Sequence, residues 1–128
     1  VAQRIVAKPP KMNLLALSVQ FFSEPKIIGY ISKENFRPRP KVDSAIVKLM
    51  PKEKLPADNS EWFFKIVRAG FSQKRKLLMN NLSKKFGIMK VEVLEVFEKI
   101  NIQPNARAEN LSLSKWIELT EYLRRSSI

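Results

Sequence analysis

Two stretches of this sequence carry residue types in spacings that suit contact with a polyanion. The first is Phe36-Arg37-Pro38-Arg39-Pro40-Lys41-Val42-Asp43-Ser44. Prolines at alternate positions fix φ and remove backbone donors, which makes a stiff extended segment. Such a segment holds one aromatic ring and the cations Arg37, Arg39 and Lys41 in a set geometry. Cations neutralise phosphates, and an aromatic face contributes about 1 to 3 kcal/mol per stacked base. The same residues would equally make a rigid connection between strands with its charges solvated. The second stretch runs from Arg68 to Lys90 and holds seven basic residues (68, 74, 75, 76, 84, 85 and 90) with no acid. At helical spacing Lys74, Arg75 and Lys76 spread over a wide arc, so at least two of them face outward together. A charge run is usually a solvated face, but one this long without a counter-charge favours phosphate binding, with Lys84 and Lys85 extending it. Asn80 and Asn81 add polar groups suited either to contacts or to caps. Arg107 and Glu109 read as a local pair near the last helix.

Enzyme signatures are missing. The only glycines, Gly29, Gly70 and Gly87, are too widely separated to build a nucleotide fingerprint or a P-loop. The acids Glu24, Glu34, Asp43 and Glu53 show no pairing suited to acid/base work, and Asp43 reads as a turn residue. Zero Cys and zero His remove thiolate nucleophiles, imidazole bases, disulfides and nearly every zinc site. Lack of Cys fits a cytoplasmic location.

The elements that must position these stretches follow from composition and pattern. With 128 residues there is room for one modest domain, or a small domain plus a piece of another. Hydrophobic residues at 45% and charged residues at 28% are ordinary for a folded protein. Twenty-four Lys and Arg against 12 Asp and Glu give a net charge of +12, which favours nucleic acid as partner. A membrane surface is disfavoured because the basic residues do not share one long amphipathic face. Apolar stretches such as 14–22 and 62–67 fall well short of the roughly 20 residues of a spanning helix. The opening VAQRIVAKPP has neither an initiator Met nor a signal-peptide core, and reads as internal to a longer gene.

Residues 1–7 read as a helix end stopped by Pro9-Pro10. Asn13 caps a second helix, apolar almost all round through Phe22, which needs a large partner surface. Strands are expected over 26–31 and 45–50, on either side of the proline loop, and 51–60 has linker composition. Beyond it, Asn59 or Ser60 opens a helix carrying Trp62, Phe63, Ile66 and Val67 inward, broken or bent at Gly70. Ser72 is expected to cap a helix over 73–85, with Leu77, Leu78 and Leu82 as its stripe and Gly87 as its left-handed terminator. A third helix over 91–100 buries Val93, Val96, Phe97 and Ile100 and leaves Glu92, Glu95 and Lys99 in water. Ser112 or Ser114 opens the last, with Trp116, Ile117, Leu119 and Leu123 apolar and Arg124-Arg125 in its final turn.

Read in order, the residues resemble a family. Phe36, Pro38, Pro40, Lys41, Val42, Asp43 and Ser44 match the F-x-P-x-P-K-V-D-S motif of the rRNA adenine dimethyltransferases. Phe71, Gln73, Lys74, Arg75, Lys76, Leu78, Asn80 and Leu82 resemble its F-x-Q-R-R-K-x-L-x-N-x-L, with Lys74 where arginine is usual. Arg107, Ala108, Glu109, Leu111 and Ser112 resemble R-A-E-x-L-S, which favours KsgA-type small-subunit enzymes over the antibiotic-resistance methylases. Leu15 and Gln20 fit more loosely a family helix L-S-V-x-x-Q.

The resemblance implies methyl transfer from S-adenosylmethionine to two adjacent adenines near the end of small-subunit rRNA, late in ribosome assembly. It also implies an α+β fragment: a helix and strand-loop-strand from the end of a Rossmann-like methyltransferase sheet (1–52), then a small all-α, rRNA-binding C-terminal domain (57–128). The family's glycine motif and N-L-P-Y loop do not occur in this sequence, so no cofactor binding and no catalysis are expected of the chain alone. By resemblance, Phe36 packs against the flipped adenine. Arg37, Arg39, Lys41, Arg68, Lys74, Arg75, Lys76, Lys84, Lys85 and Arg107 are the expected rRNA contacts. Without upstream strands, an apolar sheet edge over 26–50 should be exposed and self-associate or meet a complementary chain. The alternative is a stand-alone RNA- or ribosome-binding module without catalysis, which the presence or absence of upstream N-L-P-Y codons would separate.

Overall fold

A computed structural model of the chain describes residues 2–35, 38, 44–52 and 60–125. Phe36, Arg37, Arg39 and Lys41 of the proline loop, and most of the expected linker, lie outside the described residues. The chain opens with α1 (Ala2–Ile5), α2 (Leu14–Phe22) and β1 (Ser23–Ile31). Asn13 caps α2 as expected, its Oδ1 accepting from Ala16 N at 2.8 Å. Gln20 holds the end of the first segment to α2: its Nε2 donates to the carbonyls of Ile5 (2.9 Å) and Ala7 (3.1 Å). Helix passes directly into strand at Ser23, whose hydroxyl donates to Val19 O at 2.9 Å.

β1 pairs antiparallel with β2 (Ser44–Pro51), from Ser23 opposite Pro51 to Ile31 opposite Ser44, with a bulge between Ile27 and Gly29. Both strands run further than the sequence pattern suggested, and Pro51, read as linker, closes β2. A proline at a strand end sacrifices no ladder bond inside the sheet. Ile28, Tyr30, Ile46, Leu49 and Met50 are exposed, so the two strands present apolar surface to water.

Four α-helices follow, α3 (Ser60–Gly70), α4 (Leu78–Phe86), α5 (Lys90–Lys99) and α6 (Leu113–Arg125), with a 3-10 turn (Ala108–Asn110) before the last. α3 ends at Gly70, and α4 ends at Gly87 with φ of 65°, the left-handed conformation glycine adopts without strain. α5 buries Val93, Val96 and Phe97 with Ile100 behind them, and leaves Glu92, Glu95 and Lys99 exposed, as its spacing predicts. Of the two candidate caps for α6, Ser112 serves: its Oγ accepts from Lys115 N at 3.3 Å and its carbonyl from Trp116 N at 3.0 Å.

The helix expected over 73–85 is shorter. Residues 71–77 form turns, and α4 begins only at Leu78, without a side-chain cap. Ser72 does not cap α4; its hydroxyl donates to Ala69 O at 2.6 Å and so closes α3. Arg107 and Glu109 also do not pair. Among the described residues the ion pairs are Lys115 with Glu118 and Arg124 with Glu121, both 3.7 Å and both on α6. Arg107 N instead donates to Asn110 Oδ1 at 2.8 Å, and Glu109 O accepts from Met12 N at 2.9 Å.

One apolar cluster runs from Met12 and α2 through all four later helices to Leu123. Phe21 of α2 meets Phe63 of α3 with ring centroids 4.4 Å apart, and Phe22 stacks on Phe64 at 5.8 Å. Phe21 and Phe63 are fully buried, which stabilises by about 1.5 to 3 kcal/mol for each ring.

Candidate nucleic-acid interface

The basic turn of residues 71–77 is built from outside itself. Phe71 stacks on Trp116 of α6, ring centroids 5.7 Å apart and planes at 26°. Trp116 reaches that position because Gly70 has no Cβ: one built there would lie 2.5 Å from Trp116 Cη2 and 2.8 Å from Leu78 Cδ1. Asn81, buried in α4, reaches back and donates from Nδ2 to Gly70 O (2.8 Å) and Gln73 O (3.0 Å). A turn within the segment closes with Lys76 N donating to Gln73 O at 3.0 Å. Leu78 N donates to Ala106 O at 2.9 Å, which brings Arg107, the next residue, to the exit of the turn.

These fixings leave the cations outside. Arg68, Lys74, Arg75, Lys76, Lys84, Lys85 and Arg107 are all exposed, and among the described residues none of them joins an ion pair. Lys74, Arg75 and Lys76 therefore stand on a braced turn and not along a helix face, so helical spacing does not set their directions. Lys76 and Lys84 share a cavity of about 330 Å³ with Lys90, the first residue of α5. Arg107 does not line it.

The sequence pattern of the ribosomal RNA adenine dimethylase family matches residues 1–125. The chain belongs to that family. It is 43% identical over 121 residues to the ribosomal RNA small subunit methyltransferase A of Dehalococcoides mccartyi (strain CBDB1), covering 93% of this chain and 42% of that protein. The enzyme of the same name from Mycoplasmopsis pulmonis is 41% identical over 128 residues, covering 97% of this chain and 49% of that protein. The chain thus spans less than half the length of these curated relatives. Among solved structures, a dimethyladenosine transferase from Plasmodium falciparum superposes with a TM-score of 0.78 at 25% identity, over 99% of this chain and 55% of that one. The 23S rRNA methyltransferase ErmE shares the fold with a TM-score of 0.72 at 19% identity, over 96% of this chain and 50% of that one. The KsgA-type resemblance of the motifs agrees with the names of the curated relatives, and the α+β character agrees with both solved structures.

Within the family motif, Phe71 serves Trp116, Leu78 and Leu82 are buried, and the cations point to water. Sequence reasoning passed over Asn81 as a buried anchor and Gly70 as a packing position, and counted Lys90 in the basic run without placing it among the expected rRNA contacts. Asn81 carries a signal: it follows the apolar Leu78 by three residues, which puts a polar residue on the same face of α4, where it needs a partner.

Proposed function

We propose that this chain is the C-terminal part of an S-adenosylmethionine-dependent rRNA adenine dimethyltransferase acting on small-subunit rRNA, and that its own share is to hold rRNA and pack against the target base. One observation carries the reading: family membership over 1–125 coincides with a turn whose cations join no ion pair among the described residues and which the core itself braces. The motifs in their order support a division into a methyltransferase remnant (1–52) and a helical rRNA-binding part (57–128). Arg68, Lys74, Arg75, Lys76, Lys84, Lys85 and Arg107 are the proposed phosphate contacts on the helical part. Arg37, Arg39 and Lys41 extend them, and Phe36 packs on a flipped adenine, which leaves the stack because its reacting amine is otherwise out of reach.

S-adenosylmethionine supplies the methyl group in this chemistry, and no glycine-rich turn that would cradle it occurs among the described residues. The chain's three glycines are used elsewhere: Gly29 beside a bulge, Gly70 under Trp116, Gly87 at a helix end. Cofactor binding by the chain alone is therefore not expected. The exposed Ile28, Tyr30, Ile46, Leu49 and Met50 suit burial by further strands or by a second copy. No helix among the described residues is long and apolar enough to cross a membrane, and a cytoplasmic, ribosome-associated role is part of the proposal.

The test is binding of the chain to a small-subunit rRNA 3′-end hairpin across a salt series, with labelled S-adenosylmethionine titrated in parallel. RNA binding that falls steeply with salt, with no cofactor binding, is the expected result. Cofactor binding would refute the division of labour, and absence of RNA binding would refute the proposed role.

A further inference from the structure

The cavity between the basic turn, α4 and the start of α5 has a chemistry that the surrounding surface lacks. It is lined by Gln73, Lys76, Asn80, Ser83, Lys84 and Lys90 together with Asn81, with a volume of about 330 Å³, at the lower end of the roughly 300 to 1,000 Å³ of ligand pockets. Its three lysines come from three different elements, and among the described residues no carboxylate pairs with any of them. Like charges gathered round one cavity repel, so their arrangement favours a bound anion.

Two polar side chains of the wall are fixed by hydrogen bonds within the chain. Asn81 Nδ2 is spent on Gly70 O and Gln73 O, and Ser83 Oγ donates to Ile88 O at 2.6 Å. Asn80 differs from both: its Oδ1 is buried without a hydrogen-bond partner, while its Nδ2 keeps some exposure and makes no hydrogen bond among the described residues. The amide therefore sets an open donor beside three cations and leaves an acceptor unsatisfied inside. A buried unsatisfied group is unfavourable to folding and calls for an explanation outside stability.

We propose that this cavity seats a single phosphate, held jointly by Lys76, Lys84 and Lys90 with Asn80 Nδ2 as a neutral donor, and that in the complex the phosphate belongs to the RNA backbone. The second half of that statement rests on the proposed rRNA-binding role; the first half stands on the cavity. Asn80 is then a phosphate-binding residue that lowers stability.

Two measurements on the 128-residue chain separate these parts. In the first, inorganic phosphate is titrated while the Asn80 side-chain amide is followed by NMR. A saturable shift of that amide, absent in the Lys84→Gln/Lys90→Gln variant, is expected; no shift in the wild type overturns the seat. In the second, affinity for the rRNA hairpin is measured against salt, where each neutralised phosphate contributes about 0.7 to 0.9 to the log–log slope. The triple variant Lys76→Gln/Lys84→Gln/Lys90→Gln should lose the contribution of one phosphate, because the three lysines share it. A loss of roughly three phosphates' worth would mean three separate contacts and overturn the seat. Asn80→Ala should weaken RNA about tenfold with the slope unchanged, since it removes one hydrogen bond to a charged group. Its melting temperature should hold or rise, because the orphaned oxygen leaves with it; a purely structural Asn80 would instead lower it. Saturable phosphate binding without RNA binding would keep the seat and remove the rRNA role. RNA binding untouched by any of these variants would keep the role and remove the seat.

Discussion

Replacing Gly70 with alanine adds one methyl group, and the surroundings decide its effect. The new Cβ would lie 2.5 Å from Trp116 Cη2, 2.8 Å from Leu78 Cδ1 and 3.2 Å from Trp116 Cζ3. Carbon atoms in favourable contact sit about 3.5 to 4.0 Å apart, so the indole must retreat by about 1 Å. It has nowhere to go, since Trp116 and Leu78 are both fully buried and Phe71 stacks on the ring. Overpacking of this kind costs about 1 to 3 kcal/mol. Opposing it, alanine is better than glycine inside a helix by up to about 1 kcal/mol, and by less here because Gly70 is the last residue of α3. The net expectation is a loss of about 1 to 2 kcal/mol, or a fall in melting temperature of roughly 4 to 8 °C for a chain of this size. Urea and thermal unfolding followed by circular dichroism measure it, with tryptophan fluorescence in a Trp62→Phe background reporting on Trp116. A melting temperature unchanged or raised by Gly70→Ala would show that helix propensity wins, and would refute the claim that the close approach of α6 determines this residue. RNA affinity measured well below the melting transition should also fall, because Gly70 O anchors Asn81 and Phe71 follows the displaced indole.

Other substitutions probe separate parts of the same construction. Asn81→Ala deprives the carbonyls of Gly70 and Gln73 of their shared donor and should destabilise by about 2 to 3 kcal/mol in urea unfolding, more than Asn80→Ala, which should be neutral or stabilising. Gly87→Ala meets no atom within 4 Å but must hold φ of 65°, so it should cost about 1 kcal/mol by thermal melting, with no change in the Trp116 signal. Lys115→Met removes the ammonium that donates to Ile100 O at the end of α5 and should cost about 0.5 to 1.5 kcal/mol. Reversing charge at Lys74 and Arg75 should weaken the same hairpin that reversal at Arg37 and Arg39 weakens, with the unfolding midpoint unchanged; a hairpin weakened by only one of the two pairs would refute a shared surface.

Local signals made part of this fold legible. Asn13 before a run of apolar residues reads as a cap on a buried helix, and the structure places its side chain on Ala16 N. The stripe of Val93, Val96, Phe97 and Ile100 needed only its spacing, and Gly87 only its place after the last apolar turn. The basic turn was illegible for an equally physical reason. Lys74-Arg75-Lys76-Leu77-Leu78 consists of good helix formers, so propensity extends α4 backward to Gln73. What overrides it lies far away in sequence: Trp116 under Phe71, Ala106 O on Leu78 N, and Asn81 reaching back to Gly70. Gly70 was read as a break, and α3 does end there, but its second role as a packing position was hidden because Trp116 is 46 residues distant.

That long-range bracing bears on how the two basic stretches are related. Lys52, just past β2, bonds back to α2, its backbone N donating to Phe22 O at 3.0 Å and its Nζ to Gln20 O at 2.6 Å. The strands that flank positions 36–43 are thus tied at their base to α2. Phe21 of α2 is fully buried against Phe63, and Phe64 sits 5.6 Å from the same ring, so α2 in turn is fixed to α3. α3 ends at Gly70, where the basic turn begins. Each joint in this series is either a closed hydrogen bond or a buried ring, and neither yields without losing about 1 kcal/mol or more. The base of the two strands and the start of the basic turn therefore stand at a spacing that the core sets, and an RNA that contacts both would not have to supply the ordering entropy that a flexible tether between them would demand.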